Sequence, residues 1–439
     1  MSNLQKVKLS DLVSRVKVGF VGSINEYYCS PAVGVPLLRT TDISDLNFDR
    51  IKYVTKEFSN KNKKSLVKKG DLIVARHGDN GSAIVYEKDF FAQVLNAVVI
   101  EPNHEKMSPY LLKIFLESPF VRKQIKGSVK GSVQGVINTK HLADLLIPLF
   151  SDLDYNYIEN LIVAIDKKIE LNNRINAELE AMAKTLHDYW FVQFDFPDDS
   201  PKGQGKPYKT SGGKMVYNPT LKREIPAGWK VDTLSSWIKF DKTGDWGKEE
   251  QEGNYTLQVD CIRGADINGL NGNGKIAAPN RFILQKNDHK LLAPFDLVVE
   301  ISGGSPTQST GRMAYMTDDV FDRFTHPLIC SNFCKAISLR DNDLFYCFAY
   351  LWKNLYVGGV LFGWEGKTSG IKNLLFDSFV TKYQVPIPPL GLAKQFFDFV
   401  APLEQKKQTL LKERAELESL RDWLLPMLMN GQVTVGEAS

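Results

Sequence analysis

One helical pattern occurs twice in this chain, and it limits the possible fold more than any other feature. Residues 165–182 (IDKKIELNNRINAELEAM) align without a gap with residues 403–420 (LEQKKQTLLKERAELESL). The tetrapeptide Ala-Glu-Leu-Glu occurs in both copies, at 177–180 and at 415–418. A long segment precedes each copy. The sequence therefore predicts a duplicated unit, in which a globular segment is followed by a long helix.

The apolar positions of the two helices predict that the helices pair with each other. In the distal copy, apolar residues recur at a spacing of seven from Phe396 to Leu424, and Phe399 and Leu420 add partial support. Such a stripe needs a partner helix, because a single helix in water would leave it exposed. The alternative is that each helix packs only on its own domain. The predicted seam consists of Ile165, Ile169, Asn172, Leu179, Leu186, Leu403, Leu410, Leu417 and Leu424.

Polar residues of the central helix support the same interpretation. Asparagine within an apolar seam, as at Asn172, fixes the register of two helices at a cost in stability. Glu180 and Lys184 are spaced to form a surface ion pair. The stretch from Asp166 to Trp190 would be ~37 Å long, close to the ~34–36 Å of one DNA turn. If the helix pair sets the distance between the two domains, those domains could read half-sites roughly one turn apart.

The segments that precede the two helices repeat each other weakly. Arg39-Thr-Thr-Asp42 recurs as Arg263-Gly-Ala-Asp266, and Gly70-Asp71-Leu-Ile-Val recurs as Phe295-Asp296-Leu-Val-Val. Residues 71–75 and 93–100 predict strands, and residues 109–126 predict a helix with proline in its first turn. The expected fold class is α+β, with two similar mixed domains, two long antiparallel helices that form a coiled coil, and a pseudo-two-fold internal repeat. The predicted boundaries are 1–150 for the first domain, 151–197 for the central helix, 198–225 for a linker or exposed loop, 226–389 for the second domain and 390–431 for the distal helix.

Composition indicates a soluble, ordinary globular protein. The 439 residues are 43% hydrophobic and 24% charged, and the net charge is only +4. No apolar run approaches the ~20 residues that cross a bilayer. The cysteines are odd in number and widely scattered, which predicts reduced thiols in a cytoplasmic protein. They are Cys29, Cys261, Cys330, Cys334 and Cys347.

Motifs that would indicate catalysis are incomplete in this sequence. Residues 363–368 end like a phosphate-binding loop, but Leu361 stands where its first glycine is needed. His326, Cys330 and Cys334 have a suitable spacing for a metal, yet Pro327 interrupts a helix there and no second ligand pair follows. We find no nucleophile elbow, no cofactor-binding glycine loop and no nuclease-like acidic and lysine cluster. The sequence therefore predicts a chain that is not itself an enzyme and has no catalytic or metal-binding residues.

Two basic runs in the first segment indicate a nucleic-acid partner. Residues 50–69 contain eight Lys or Arg against one acid, Glu57, and five more basic residues follow between 122 and 140. Basic groups interleaved with Ser, Thr, Asn and Gln are typical of contacts to phosphates and base edges. The alternatives are a solvated charged face and tight turns that contact nothing. The predicted DNA-binding residues are Arg39, Thr40, Lys63, Lys64, Arg76, His77, Asn80, Ser82, Lys130, Ser132, Gln134, Arg263, Ser302, Thr307, Gln308, Ser309, Arg312, Lys367, Thr368 and Ser369.

Over essentially its whole length the chain resembles the specificity (S) subunits of type I restriction–modification systems. Residues 168–197 and 205–229 resemble the central conserved region of that family, and residues 387–390 and 404–433 resemble its distal region. The resemblance implies two target-recognition domains, each of which reads one half of a split, asymmetric DNA site. The first domain departs from the pattern, because it ends in LIPLFSDLDYNYI without the Pro-Pro-Leu of the second.

The resemblance also implies the partners of the chain. Two methyltransferase subunits would dock on the helices, and restriction/translocase subunits would join the complex on double-stranded DNA. S-adenosylmethionine, ATP and Mg would be bound by those partners and no cofactor by this chain. Two other readings remain open, a fused methyltransferase or nuclease polypeptide and a coiled-coil adaptor without DNA contact. The sequence leaves the DNA target and the spacer length undetermined.

Overall fold

The chain divides into two compact units. The computed structural model describes residues 4–43, 46, 48, 50–77, 81–130, 136–151, 153–201, 203–272, 274–303, 305, 307–368 and 371–429. The first unit contains residues 1–168 and 417–439, and the second contains residues 169–416. Both long helices thus contribute residues to both units. The boundaries predicted from the sequence had treated each helix as a separate segment between domains.

The helices differ greatly in length. The central helix spans Tyr155–His187 and the distal helix spans Leu390–Met429. The shorter helices of the first unit are Leu9–Leu12, Lys56–Lys61, Pro109–Glu117, Pro119–Lys130 and Thr139–Ala143. Those of the second unit are Ile267–Leu270, Asp318–Phe321, Phe345–Val357 and Phe376–Lys382. No helix in the described ranges combines the length and the apolar character that a membrane span requires.

The first unit is built on a four-stranded antiparallel sheet, called here the first main sheet. Its strands, in spatial order, are Val13–Val18, Ala97–Pro102, Leu72–Ala75 and Ala83–Val85. A second sheet has the order Tyr28–Cys29, Lys52–Val54, Val35–Arg39, Ala92–Leu95 and Leu66–Val67, and its third and fourth strands are parallel. The antiparallel pair Leu4–Lys8 and Leu146–Phe150 completes the unit.

The second unit repeats this plan. Its main sheet, the second main sheet, has the order Ile238–Thr243, Cys334–Leu339, Asp296–Glu300 and Met313–Tyr315. A three-stranded sheet of Asn280–Leu284, Tyr255–Ile262 and Leu328–Cys330 again contains one parallel pair. Lys230–Thr233 pairs with Gln384–Ile387. The mixed α+β class is therefore confirmed, and the internal repeat appears as the same order of strands in both units.

The main sheets form because their central strands are apolar on both faces. In the first unit, Leu72 and Val74 face a core shared with helices, whereas Ile73 and Ala75 face the second sheet. In the second unit, Leu297 and Val299 likewise face one core and Val298 faces another. A strand that is buried on both faces has a nearly continuous apolar sequence instead of an alternating one.

Two elements predicted as continuous are interrupted in the structure. The run 93–100 is divided at Asn96, whose φ of 56° lies in the left-handed region and ends one strand before the next begins. The helix predicted over 109–126 ends at Glu117, and a second helix starts at Pro119. Proline disfavours a helical residue before it and lacks the N–H that would continue the hydrogen-bond ladder.

The weak sequence echoes correspond to equal local structures. Arg39 forms a two-pronged ion pair with Asp42, with N···O distances of 2.9 and 3.0 Å. Arg263 forms the same fork with Asp266 at 2.9 and 3.1 Å. Burial opposes the ionisation of Asp266, but hydrogen bonds from Arg263 and Ala277 outweigh it, so the pKa of Asp266 lies below its ordinary value. The repeated Arg and Asp thus stabilise a turn at the end of a strand.

The two halves of the helix pair differ in the chemistry of their contacts. In the first unit, Ile158, Ile162 and Leu428 are buried in the apolar core. In the second unit, Asn172 is fully buried and its amide donates to Glu413 at 2.8 Å. Further along the helices, Lys407 lies 3.9 Å from Glu180, so residue numbers rise on one helix as they fall on the other. The helix segments in the second unit are therefore antiparallel, and polar side chains meet between them.

The predicted seam residues differ in burial. Ile165, Ile169, Asn172 and Leu410 are buried, and Leu179, Leu186, Leu403, Leu417 and Leu424 are partly buried. Phe399 and Leu420 are 46% and 43% exposed, so the prediction that they support the seam is wrong. The predicted pair of Glu180 with Lys184 is also wrong, because Glu180 pairs with Lys353 and Lys184 pairs with Asp188.

The segment predicted as a linker contains regular hairpins. Pro197–Asp198 pairs with Lys206–Pro207, and Met215–Asn218 pairs with Arg223–Pro226. Tyr208 stacks on Phe196 with 4.7 Å between ring centroids, and Phe196 stacks on Trp229 at 5.5 Å. Tyr208 anchors the segment through aromatic rings that lie outside residues 198–225, so the composition of the segment alone did not reveal them.

The end of the central helix is held in an aromatic cluster of the second unit. His187 is 1% exposed and packs against Tyr350 and Phe396, with ring centroids 5.9 and 5.8 Å away. Burial holds the pKa of His187 below its ordinary value, although the neighbouring Asp188 opposes this shift. Asp188 is itself occupied by Asn354, whose amide donates to it at 2.8 Å.

Acidification is expected to destabilise the second unit through His187. The unfolded chain takes up a proton near pH ~6.5, whereas the buried imidazole resists it, so stability is complete above that pH and falls by roughly 1 kcal/mol per pH unit below it. Thermal unfolding between pH 7.5 and pH 5.5 measures the effect. His187→Phe should flatten the wild-type pH dependence, and parallel curves for the two proteins would contradict the assignment.

Candidate nucleic-acid interface

In the first unit, the structure places the ends of the first predicted DNA-binding loop next to residues that flank the second. Arg76 follows the strand Leu72–Ala75, and its Nε donates to the carbonyl of Ile137 at 3.2 Å. Ser82, at the other end of the same loop, accepts a hydrogen bond from Arg122 at 3.2 Å. Arg122 belongs to the helix that precedes the second loop. Two segments separated by about fifty residues therefore meet at one end of the first main sheet.

Exposed basic side chains lie in two parts of the first unit. Lys63 and Lys64 are exposed in a short turn of helix at 63–65, and neither has an ion-pair partner in the part of the chain that the structure describes. Lys123 and Lys126 are exposed on the helix Pro119–Lys130. His77 is also exposed. Free lysines of this kind attract phosphates without selecting a base sequence.

The arginines at the repeated turns have a structural role in this conformation. Arg39 and Arg263 are held by Asp42 and Asp266, and their side chains remain 32% and 35% exposed. Thr40 donates its hydroxyl to the carbonyl of Asn96 at 2.9 Å. The exposed edge of each guanidinium leaves a contact with DNA possible, but the turn needs the arginine whether or not DNA is bound.

In the second unit, the predicted loops form a small sheet of their own, called here the loop sheet. It has the order Ser302–Gly303, Ile371–Leu374 and Glu365–Thr368. The hydroxyl of Ser302 hydrogen-bonds to the side chain of Asn373. As in the first unit, a loop between two strands of the main sheet meets a segment that precedes a short helix. The described ends of the corresponding segments thus lie side by side in both units.

The remaining candidates of the second unit differ in accessibility. Thr307 is exposed, and Gln308 is half-buried with its amide 3.3 Å from the hydroxyl of Tyr356. Ser309 is only 2% exposed, so it cannot contact DNA in this conformation.

Arg312 is fully occupied by an acidic partner. Its guanidinium donates to both oxygens of Glu300, at 2.6 and 2.9 Å, and the pair is largely buried. A Cβ on Gly303, whose φ is +138°, would lie 2.7 Å from the same carboxylate. Arg312 and Gly303 therefore secure the base of the loop.

Several predicted residues lie outside the described residues. Asn80, Ser132, Gln134 and Ser369 belong to this group, and the side chains of Lys130, Lys367 and Thr368 are likewise not described.

Sequence reasoning missed Lys372 and Glu365, which organise the loop sheet. Lys372 pairs with Glu365 at 3.1 Å and donates to the carbonyl of Gln308 at 3.4 Å. Glu365 accepts from the backbone N–H of Thr310 at 2.8 Å. The two residues are diagonal neighbours on paired strands, since Glu365 lies opposite Leu374 and Lys372 lies opposite Lys367. The signal that could have found them is the alternation of charge in two short runs around Gly370, which is typical of a hairpin.

The cysteines of the second unit lie in apolar surroundings. Burial raises the pKa of Cys261 and of Cys334 to about 12, so both remain thiols at neutral pH. His326 lies 3.4 Å from Asp260. Within the described ranges, no three His, Cys, Asp or Glu residues are grouped as a metal ion would need.

Comparisons with known proteins agree on one family. Residues 1–181 match the family model of the type I restriction modification DNA specificity domain. The type I restriction enzyme MjaIX specificity subunit of Methanocaldococcus jannaschii is 23% identical over 348 residues, which is 77% of this chain and 72% of that one. The HindI specificity subunit of Haemophilus influenzae is 32% identical over 138 residues, about 30% of each chain.

A solved structure shows the same fold. The crystal structure of a type I restriction–modification system S subunit from M. genitalium superposes with a TM-score of 0.57 and covers 97% of this chain and 96% of that chain. The sequences are 16% identical.

Proposed function

We propose that this chain, which belongs to the family of type I restriction–modification DNA specificity subunits, reads one half of a bipartite DNA site with each of its two units. The observation that carries this proposal is the repeated order of strands, with the flanks of two predicted loops lying side by side in each repeat. The loops differ in sequence between the repeats. One scaffold with two different reading surfaces suits a site whose halves differ.

The chemistry of the loops suits contact with DNA. Lys63, Lys64, Lys123 and Lys126 would neutralise phosphates around the first half-site and would hold the unit in place. His77 and the polar residues near it would reach base edges. In the second unit, Thr307, Gln308 and the loop sheet would do the same. Arg312 and Ser309 would support these loops from beneath, because both are already committed to contacts inside the unit.

The chain would contribute recognition and no chemistry to its complex. Two methyltransferase subunits would dock on the long helices, and restriction/translocase subunits would complete the assembly. These partners would bind S-adenosylmethionine, ATP and Mg. Because the substrate is DNA, the complex would act in the cytoplasm. The 33-residue central helix, ~50 Å long at ~1.5 Å per residue, is long enough to separate two half-sites by a full DNA turn.

Methylome sequencing tests the proposal directly. A strain that expresses this chain with its methyltransferase partner should carry methylated adenines in a single asymmetric motif of two parts with a constant spacer. A matched strain with the methyltransferase alone should lack that motif. A motif that is continuous or palindromic, or one that persists without this chain, would refute the proposal.

A further inference from the structure

The distal helix carries polar side chains that are almost completely buried in the second unit. Glu404 and Lys407 are each 2% exposed, and Gln408 is 1% exposed. Charged groups rarely leave water to this extent unless they are paired and hydrogen-bonded, because desolvation is costly. The partners of these three residues therefore show which parts of the unit the helix holds.

Lys407 connects the distal helix with the second main sheet and with the central helix. Its Nζ donates to the hydroxyl of Tyr315, at the end of the edge strand Met313–Tyr315, at 2.8 Å. The same Nζ lies 2.7 Å from Glu404 Oε2 and 3.9 Å from Glu180 Oε2. One ammonium group thus joins three elements of the unit.

Glu404 and Gln408 extend these contacts to two further helices. Tyr350, in the helix Phe345–Val357, donates its hydroxyl to Glu404 Oε1 at 2.8 Å. Gln408 donates to the carbonyl of Leu270 at 2.9 Å and accepts from Arg323 at 2.9 Å. We call this set the buried polar junction, and it consists of Tyr315, Arg323, Tyr350, Glu404, Lys407 and Gln408.

Protonation keeps the junction intact at neutral pH. Burial, reinforced by the negative charge of Glu404, holds the pKa of Tyr315 and of Tyr350 well above the ordinary value for tyrosine. Both phenols therefore retain their protons and remain able to donate.

The helix segments of the first unit are attached in a different way. There, Ile158, Ile162 and Leu428 pack into an apolar core. The ion pair between Asp166 and Arg421 lies at the rim, with side chains 35% and 31% exposed. Apolar packing has no directional requirement of its own. Only the second unit has a charged, hydrogen-bonded attachment to the distal helix that is removed from solvent, among the residues that the structure describes.

Directional contacts would resist the movement that a different DNA spacer demands. One additional base pair displaces a half-site by about 3.4 Å along the DNA axis and turns it by about 34°. Hydrogen bonds weaken steeply when their length or angle changes on that scale. A buried charge that loses its partner is strongly destabilising. A unit held by such contacts cannot follow the half-site without losing them.

We propose that the buried polar junction fixes the orientation of the second unit's sheets on the helix segments, and that Lys407 is a positioning residue that restricts the complex to one spacer length. This inference rests on the proposed function. The inference gives the junction a role in the choice of DNA spacer length. This role is separate from any contribution to the folding stability of the second unit. Replacing a buried ion pair by apolar residues of similar volume is often neutral for stability.

The test replaces the junction with apolar groups of similar size, through Tyr315→Phe, Tyr350→Phe, Glu404→Leu and Lys407→Met in one chain. The complete complex should still assemble and unfold near the wild-type temperature. Methylation of DNA whose spacer is one base pair longer or shorter should rise about tenfold relative to the native spacer. A purely structural role would change the amount of active complex without changing this ratio.

Arg421→Met is the matched control, since it removes a partly exposed charge from the same helix in the first unit. It should keep the wild-type spacer ratio. If the fourfold variant fails to assemble, the milder pair Tyr315→Phe and Tyr350→Phe carries the test, with an expected rise of about threefold.

Two negative results have different meanings. A wild-type complex without a bipartite motif would refute the proposed function itself. A wild-type complex with a strict spacer, matched by an equally strict junction variant, would overturn only the inference about the junction.

Discussion

Phe396→Ala is expected to destabilise the second unit by ~3–5 kcal/mol. Phe396 is fully buried, and its ring lies 5.1 Å from that of Phe191, 5.8 Å from His187 and 6.0 Å from Trp190. Truncation would leave a cavity where the distal helix meets the end of the central helix. For a unit of this size, the loss corresponds to a fall in Tm of roughly 6–20 °C.

Phe399→Ala provides a matched control on the same helix. Phe399 is 46% exposed and lies nearly one turn further along the helix. Its truncation should change stability by no more than ~0.5 kcal/mol. Calorimetry of the two variants beside the wild type measures the difference. Equal losses for both would mean that Phe396 is not the anchor of the helix end.

Exchange of the first unit is expected to change one half of the methylated site and to leave the other half unchanged. The exchange should replace residues 1–168 together with 417–439 by the equivalent segments of another specificity subunit. The helix residues Ile158, Ile162 and Leu428 belong to the first core. An exchange that includes them keeps the packing partners together. The expected result is a hybrid motif, read by methylome sequencing.

A second chimera separates recognition from packing. Exchange of residues 1–150 alone keeps this chain's own long helices, which then pack against the core residues of the other protein. It should specify the same hybrid motif with lower thermal stability, because mismatched core volumes create cavities or overpacking. If either chimera changes both halves of the motif, the two units do not read DNA independently.

Local patterns predicted the elements that depend on local physics. The repeat at 165–182 and 403–420 predicted two long helices, and both are present. The run 71–75 predicted a strand, which forms over Leu72–Ala75. Periodicity and composition suffice for such elements, because the alternation of apolar residues is set by the geometry of one helix or strand.

The candidate interface was predictable only in outline. The sequence located the loops after the main-sheet strands, and in both units the structure places the described ends of those loops beside the segment that precedes a short helix. The sequence did not indicate that Arg312 forms an ion pair with Glu300, or that Ser309 is buried. Residue type shows what a side chain is able to donate or accept. Whether the group is still available depends on neighbours that the fold supplies.

The sequence by itself therefore determined the duplication, the long helices, the basic first segment and the resemblance to one family. Only the tertiary structure decided which polar groups meet. Glu180 pairs with Lys353 instead of Lys184, and Lys407 reaches Tyr315 from 92 positions away. The physical reason is that helix and strand periods follow from the backbone of each segment, whereas the partner of a buried charge is set by contacts between distant segments. The central helix is thus recognisable from its pattern, but the attachment of its partner helix to the second unit is a property of the folded chain.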